Sequence, residues 1–317
     1  MLVIASACSS GGDGAAPTTT ETAATSDETV ASESTAASTA TEAPATTSDD
    51  GEVTSTTDAT TTSAAAAVSD PHVVIGSLVI GSHDGTDWVP VDLTGEKPPE
   101  LAGQVIIDRT GDAVTIEAVE AGCFPEVDFA NWFAYQESGF LDGLAVRTNA
   151  AHDAWPREVL EVSATDTHVE TVRAWLDANG FPEHEATVRS ARRVDIDGDG
   201  TDEVLIEAGD GASEMAGFFS PPGTYSAILM RRVAGTEVET VEVWAHLVQA
   251  ELVDGFEEIF PDGAVPGTFV TIEDLVDVDG DGTYELVSSI DVHEGYTASL
   301  HTLGDTPAVV LETGCGV

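Results

Sequence analysis

From Val73 to the C-terminus, short apolar runs rich in Val and Ile alternate with Gly, Asp and Pro, the pattern of strands separated by turns. VVIGSLVIG (73–81), DWVPVDL (87–93), QVIID (104–108) and AVTIEAVEA (113–121) form a first group. REVLEVS, ATVRSARRV, EVLIEA, YSAILMRRV, TVEVWAHLV, GTFVTIEDLV, ELVSSID, TASLHTL and PAVVLET form a second. Together they predict a mainly β protein of antiparallel sheets. One segment departs from the pattern: THVETVRAWLDANG (167–180) places Val169, Val172, Trp175 and Leu176 at helical spacing, with Gly180 where a C-cap belongs, and predicts a helix near 167–179.

Residues 9–70 carry no such pattern. They are almost entirely Ala, Ser, Thr, Asp, Glu, Gly and Pro, without an aromatic or basic residue, and cannot form a core. The expected organisation is a leader remnant (1–8), a disordered tether (9–70), an N-terminal β region (71–150) and a β-rich region (151–317). As a coil the tether would span roughly 40–50 Å. The start of the chain, MLVIASACSSGG, sets a short apolar run and small residues before Cys8. This resembles the lipobox of bacterial lipoproteins, which implies lipidation of Cys8 and a true start codon further upstream, since seven residues are too short for a signal peptide.

Charge narrows the range of partners. The chain has 58 acidic and 10 basic residues, a formal net charge of −48, and all ten Lys and Arg lie beyond residue 70. A polyanionic surface repels nucleic acid and anionic bilayers, so membrane association is expected only through the lipid, while multivalent cations are favoured. Apart from Cys8 there are two cysteines, Cys123 and Cys315, an even pair that suits one disulfide in an oxidising, extracytoplasmic compartment. A bridge closing so long a loop would stabilise the fold by about 5 kcal/mol in the chain-entropy model.

The acids are most concentrated in two near-identical stretches, DIDGDGTDE (195–203) and DVDGDGTYE (277–285). Aspartate at positions 1, 3 and 5, glycine at 4 and 6 and a carboxylate at 9 make a tight loop whose like charges a hard, oxygen-seeking cation would compensate. An EF-hand would need its last acid at position 12, held here by Ile206 and Ser288. Both copies sit between strand-like runs and are followed by a Tyr-led strand, Tyr225–Leu229 and Tyr296–Leu300, so a whole unit recurs.

These loops resemble the calcium hairpins of the FG-GAP and VCBS repeats known from integrin-type β-propellers. The resemblance implies two calcium ions. One would be held by the side chains of Asp195, Asp197, Asp199 and Glu203 and the carbonyl of Thr201, the other by Asp277, Asp279, Asp281, Glu285 and Thr283. Only two loops and an interrupting helix argue against a full propeller. From Gly143 to Val317 the layout also resembles a group of uncharacterised bacterial secreted proteins and lipoproteins, a resemblance that implies no activity.

Other candidate residues are fewer. GDGASEMAGFFSPPG (209–223) reads as a protruding loop in which Phe218 and Phe219 contact a ligand or pack under the sheet, with Tyr225 and Tyr296 as further contact candidates. There is no HExxH, GxSxG, P-loop, Rossmann glycine pattern or CxxC. The expected function is therefore a non-catalytic binding or adhesion module at the cell surface, directed at a glycan or protein. The alternative is a secreted carbohydrate-active or other hydrolase, for which His293 and Glu294 beside Tyr296 are the first catalytic candidates.

Overall fold

The computed structural model describes residues 70–93, 96–122, 131–136, 139–141, 144–210, 223–248, 268–292 and 295–316, and these belong to one compact unit. The fold is mainly β, with antiparallel sheets and one helix. The first sheet comprises β1 (His72–Ile75), β2 (Leu78–His83), β3 (Trp88–Pro90), β4 (Val105–Asp108), β5 (Ala113–Thr115), β6 (Ala118–Gly122), β7 (Asn131–Gln136), β8 (Gly139–Phe140) and β9 (Val146–Thr148). Its order is β5-β4-β9-β1-β2-β7-β6, with β3 on β2 and β8 on β7. The run VVIGSLVIG is thus a hairpin rather than one strand: Gly76, at φ 54°, turns the chain between β1 and β2.

Next come β10 (Leu160–Glu161) and α1 (Asp166–Ala178), then two meanders: β11 (Val188–Val194), β12 (Glu203–Gly209), β13 (Tyr225–Ala234) and β14 (Glu237–Leu247), followed by β15 (Thr268–Val276), β16 (Glu285–Val292), β17 (Gly295–Thr302) and β18 (Ala308–Gly316). Their sheets are ordered β10-β11-β12-β13-β14 and β15-β16-β17-β18. The helix lies where its periodicity places it. Thr165 caps it by accepting from the His168 backbone N–H, while His168 Nδ1 accepts from the Thr165 N–H, a capping box closed by a histidine.

The two meanders are structural copies stacked head to tail. Leu205 pairs with Met230, which pairs with Val241; Val287 pairs with Leu300, which pairs with Leu311. Val194, Ile196, Leu205, Ile228 and Met230 of the first copy pack on Val270, Ile272, Leu286 and Ile290 of the second. Their counterparts Val276, Val278, Val287, Ala298 and Leu300 pack instead on Val73, Ile75, Leu78 and Ile80 of the first sheet. On the remaining face of the first copy, Val172, Trp175 and Leu176 of α1 cover Ile206, Ala208, Ala227 and Leu229. The N-terminal β region and the β-rich region accordingly share a core.

This register corrects the expected alignment of the two tyrosines. Tyr296 stands opposite Asp291, a place that Ser226 holds opposite Gly209 in the first copy, so Tyr225 and Tyr296 are one residue out of step. In a strand a slip of one residue reverses the face. Tyr225 therefore points into the helix-covered core, whereas Tyr296 packs toward β1 and β2.

One polar pair is sealed inside. His301 and Ser288 are both 0% exposed and are joined by an Oγ···Nε2 hydrogen bond of 2.8 Å, and burial pushes the imidazole down to about 4. The unfolded chain, with an ordinary histidine near 6.5, takes up a proton that the folded one refuses. Stability contributed by neutral His301 is thus complete above the unfolded value and is lost as pH falls from 6.5 toward 4, by about 3 kcal/mol. We expect the acid limb of a denaturation-against-pH profile to be shallower by that amount in His301→Gln than in the wild type; equal slopes would refute the assignment.

Candidate metal centre

Each acidic loop joins two paired strands, β11 to β12 and β15 to β16, and the strands hold its ends together: Val194 pairs with Glu203 and Val276 with Glu285. Within the loops the glycines take left-handed backbone, with φ 71° at Gly198, 88° at Gly200, 78° at Gly280 and 91° at Gly282. Side chains carrying Cβ resist that conformation. It lets the chain curl so that its amides turn toward its own carboxylates.

The two loops share one set of internal hydrogen bonds. Asp195 Oδ2 accepts from Gly200 N at 3.0 Å, and Asp277 Oδ2 from Gly282 N at 3.2 Å. Asp197 Oδ1 accepts from Asp199 N and Asp279 Oδ1 from Asp281 N, at 3.1 and 3.0 Å. Asp199 Oδ1 accepts from Thr201 N and Asp281 Oδ1 from Thr283 N, at 2.6 and 2.7 Å. Across the base, Glu203 Oε2 accepts from Ile196 N and Glu285 Oε2 from Val278 N, both at 2.9 Å.

Of the predicted ligand sets, Asp195, Asp197 and Asp199 bring ligand atoms within 4.8 Å of one another in the first loop, and Asp277, Asp279 and Glu285 do so in the second. Glu203 and Asp281 fall outside these groups. Asp195 Oδ1 is buried without a hydrogen-bond partner among the described residues, the state a missing counter-charge would leave.

Electrostatics distinguishes the copies. Asp195 is half-buried and Asp197 exposed in the first, whereas their counterparts Asp277 and Asp279 are 7% exposed and half-buried in the second; Asp199 and Asp281 are exposed, and Glu203 and Glu285 buried, in both. Desolvation, reinforced by Asp279, Asp277 and Asp281, drives Glu285 up to about 9 against the opposing Val278 N–H. Glu203 and Asp279 are raised for the same leading reason. The deeper burial comes from a strap at 152–155: Asp277 N donates to Ala154 O and His152 Nε2 donates to Asp277 O, both at 2.7 Å. A Cβ on Gly280 would lie 3.3 Å from the His152 ring. The loops also touch each other, because Tyr284 N donates to Ile196 O at 3.0 Å.

The strap is not legible in the sequence. His152 stands 125 residues from Asp277, with no local motif beyond an isolated histidine. As for the other candidates, Tyr225 is 1% exposed and its hydroxyl is engaged, accepting from Thr187 N and donating to Glu185 O, so it is a core residue rather than a ligand contact. Tyr296 is half-buried against the core. Cys8, Cys123, Phe218, Phe219, His293 and Glu294 lie outside the described residues, and Cys315 is on β18 opposite Tyr296. No helix among the described residues is long and apolar enough to cross a membrane.

Comparison with known proteins adds no relative: no family model, curated protein or solved structure matches the chain.

The loop backbone gives a direct test. Gly282→Ala forces Cβ into left-handed backbone and should cost about 1–2 kcal/mol in chemical denaturation with chelator present. Gly304→Ala, where an added Cβ meets nothing within 4 Å, should be near neutral, and equal effects would contradict the described turn.

Proposed function

We propose that this chain is a calcium-stabilised, non-catalytic binding module of the FG-GAP/VCBS type, held outside the cytoplasm by a lipid on Cys8 and displayed at the cell surface on its Ser/Thr-rich tether. The observation that carries this reading is the duplication of one hydrogen-bond set in two acidic loops, together with the buried, unpartnered Asp195 Oδ1. Those bonds hold the aspartates of each loop on backbone amides, Asp277 through both its oxygens, with three carboxylates of each loop bringing ligand atoms within 4.8 Å of one another, an arrangement that a divalent cation makes favourable. The proposed ligand groups are Asp195, Asp197, Asp199, Glu203 and Thr201 for one ion and Asp277, Asp279, Asp281, Glu285 and Thr283 for the other.

An ion that binds only the folded state adds about 2.7 kcal/mol per site at a hundredfold excess over its Kd. Calcium should therefore raise the melting temperature of the chelated protein. Asp197→Asn combined with Asp279→Asn should abolish the rise without preventing folding. A wild-type melting curve indifferent to calcium would refute the proposal, as would a double variant that still responds fully.

We also propose that Cys123 and Cys315 form a disulfide. Gly122, adjacent in sequence to Cys123, pairs with Asn131; the Asn131 side chain donates to Gly314 O and accepts from Thr313 Oγ1 at 2.8 Å, beside Cys315. Peptide mapping of the exported protein without reductant should recover the two cysteines in one cross-linked fragment. Recovery of both as free thiols would rule the bridge out.

A further inference from the structure

Asp70 and Pro71 form the one Asp-Pro pair of the chain, and it stands where the Ser/Thr-rich tract of residues 9–70 meets β1. We infer that this junction is a self-cleavage site, at which the chain cuts its own Asp70–Pro71 bond in mildly acidic medium and frees residues 71–317 from everything before them. The activity needs neither calcium nor the lipid proposed for Cys8. With that lipid in place, the cut sheds the folded domain from its anchor.

The bond is held from both sides. The carbonyl oxygen of Asp70, on the carbon that a nucleophile would attack, lies 2.7 Å from His72 Nδ1. A carbonyl oxygen can only accept, so Nδ1 carries a hydrogen and donates it. His72 is itself fixed: it is 7% exposed, stands on β1 opposite Ser82, and its backbone N–H donates to Asn149 Oδ1 at 2.6 Å. On the far side of the bond the Pro71 carbonyl accepts from His83 N at 3.0 Å. Asp70, by contrast, is exposed. A rigid donor thus polarises the carbonyl while the acid beside it stays open to water.

The reaction needs only these groups and water. An oxygen of the Asp70 side chain bonds to the Asp70 carbonyl carbon and closes a five-membered ring. Negative charge then develops on the carbonyl oxygen, where the His72 Nδ1–H already points. The carbon–nitrogen bond to Pro71 breaks, leaving a cyclic anhydride on Asp70. The proline nitrogen takes a proton from the medium and departs as the secondary amine of a new N-terminus. Water opens the anhydride, so Asp70 ends with two carboxyl groups and one water is consumed. Proline suits the leaving side because its nitrogen, bonded to three carbons and bearing no hydrogen, is easier to protonate than an ordinary peptide nitrogen.

The surroundings of the imidazole set the pH response. Burial is the largest influence and lowers His72 from 6.5, against the raising effects of the Asp70 carbonyl, the Asp70 charge and Glu100. Ser82 and Asn149 beside it are uncharged, and the His83 ring is turned onto Trp88. At neutral pH the ring is therefore an uncharged donor. As pH falls below the ordinary histidine value, Nε2 takes a second proton and sets a positive charge next to the developing oxyanion. Cleavage accordingly accelerates from pH 7 toward about 5.

The test incubates the purified full chain with protease inhibitors across that range, confirms folding at each pH by circular dichroism, and follows fragments by intact mass and N-terminal sequencing. A fragment beginning at Pro71 is expected. It should form faster as pH falls, and roughly tenfold or more faster than in the same chain unfolded in urea, where the bond has only the ordinary acid lability of an Asp-Pro peptide. Asp70→Ala removes the nucleophile at an exposed position and leaves the backbone carbonyl on His72, so it should fold as the wild type does and remain uncut. His72→Phe should slow cleavage of the folded protein by roughly a hundredfold, flatten its rise toward acid and leave the rate in urea unchanged.

Absence of a fragment starting at Pro71, a rate in urea equal to the folded rate, or undiminished cleavage of Asp70→Ala each overturns the inference. A folded His72→Phe that cuts as fast as the wild type, with the same pH dependence, does so too. Should His72→Phe not fold, the comparison of folded with urea-unfolded wild type decides alone. None of these readouts depends on calcium, so their failure leaves the calcium module standing.

Discussion

Glu285 sets the central constraint: a carboxyl 3% exposed, among three aspartates, at the junction of two core strands. Left alone, such a group holds its proton well above neutrality, and the strands on either side carry that cost. Relief comes either from that proton or from a divalent ion. On the proposed metal reading, the glycines of the loop and the amides they turn inward prepare the second solution, and the first meander repeats it with its first two aspartates less deeply buried. On the calcium reading, each ion completes a hairpin that the sheet has already closed at its base.

From that hairpin the rest of the architecture can be followed. Each loop fixes the register of its two strands, register fixes which side chains face forward, and the forward face of one meander becomes the floor for the next. Two copies stacked in one sense leave two unlike ends, as in repeat arrays generally. Here α1 covers one end and β1–β2 the other, so neither apolar face meets water.

The edge strand β15 shows how the layers are tied together. Its exposed carbonyls would invite pairing with another chain. Arg189 Nη2 donates to Val270 O at 2.5 Å and Arg192 Nη1 to Ile272 O at 2.8 Å, while Arg109 pairs with Asp274. Ser226 Oγ accepts from Val270 N at 3.0 Å. Three of the few basic residues in this acidic chain thus converge on one strand. They join both meanders and the first sheet.

Much of this is written locally. Alternating Val and Ile with turn residues announce the sheets, helical spacing announces α1, and the two Asp-Gly stretches announce loops that turn on glycine, because strand, helix and turn preferences act within a few residues. The hairpin inside VVIGSLVIG carries one local sign, the two residues Gly76-Ser77 between apolar runs, but the continuity of Val, Ile and Leu around it reads as a single strand. The tyrosine alignment fails for a related reason: sequence spacing carries no register, and one residue exchanges the faces of a strand. The strap at 152–155 and the arginines that meet β15 cannot be read from the chain. Their members are ordinary residues far apart in sequence, and only the stacking of three sheets brings them within hydrogen-bond reach.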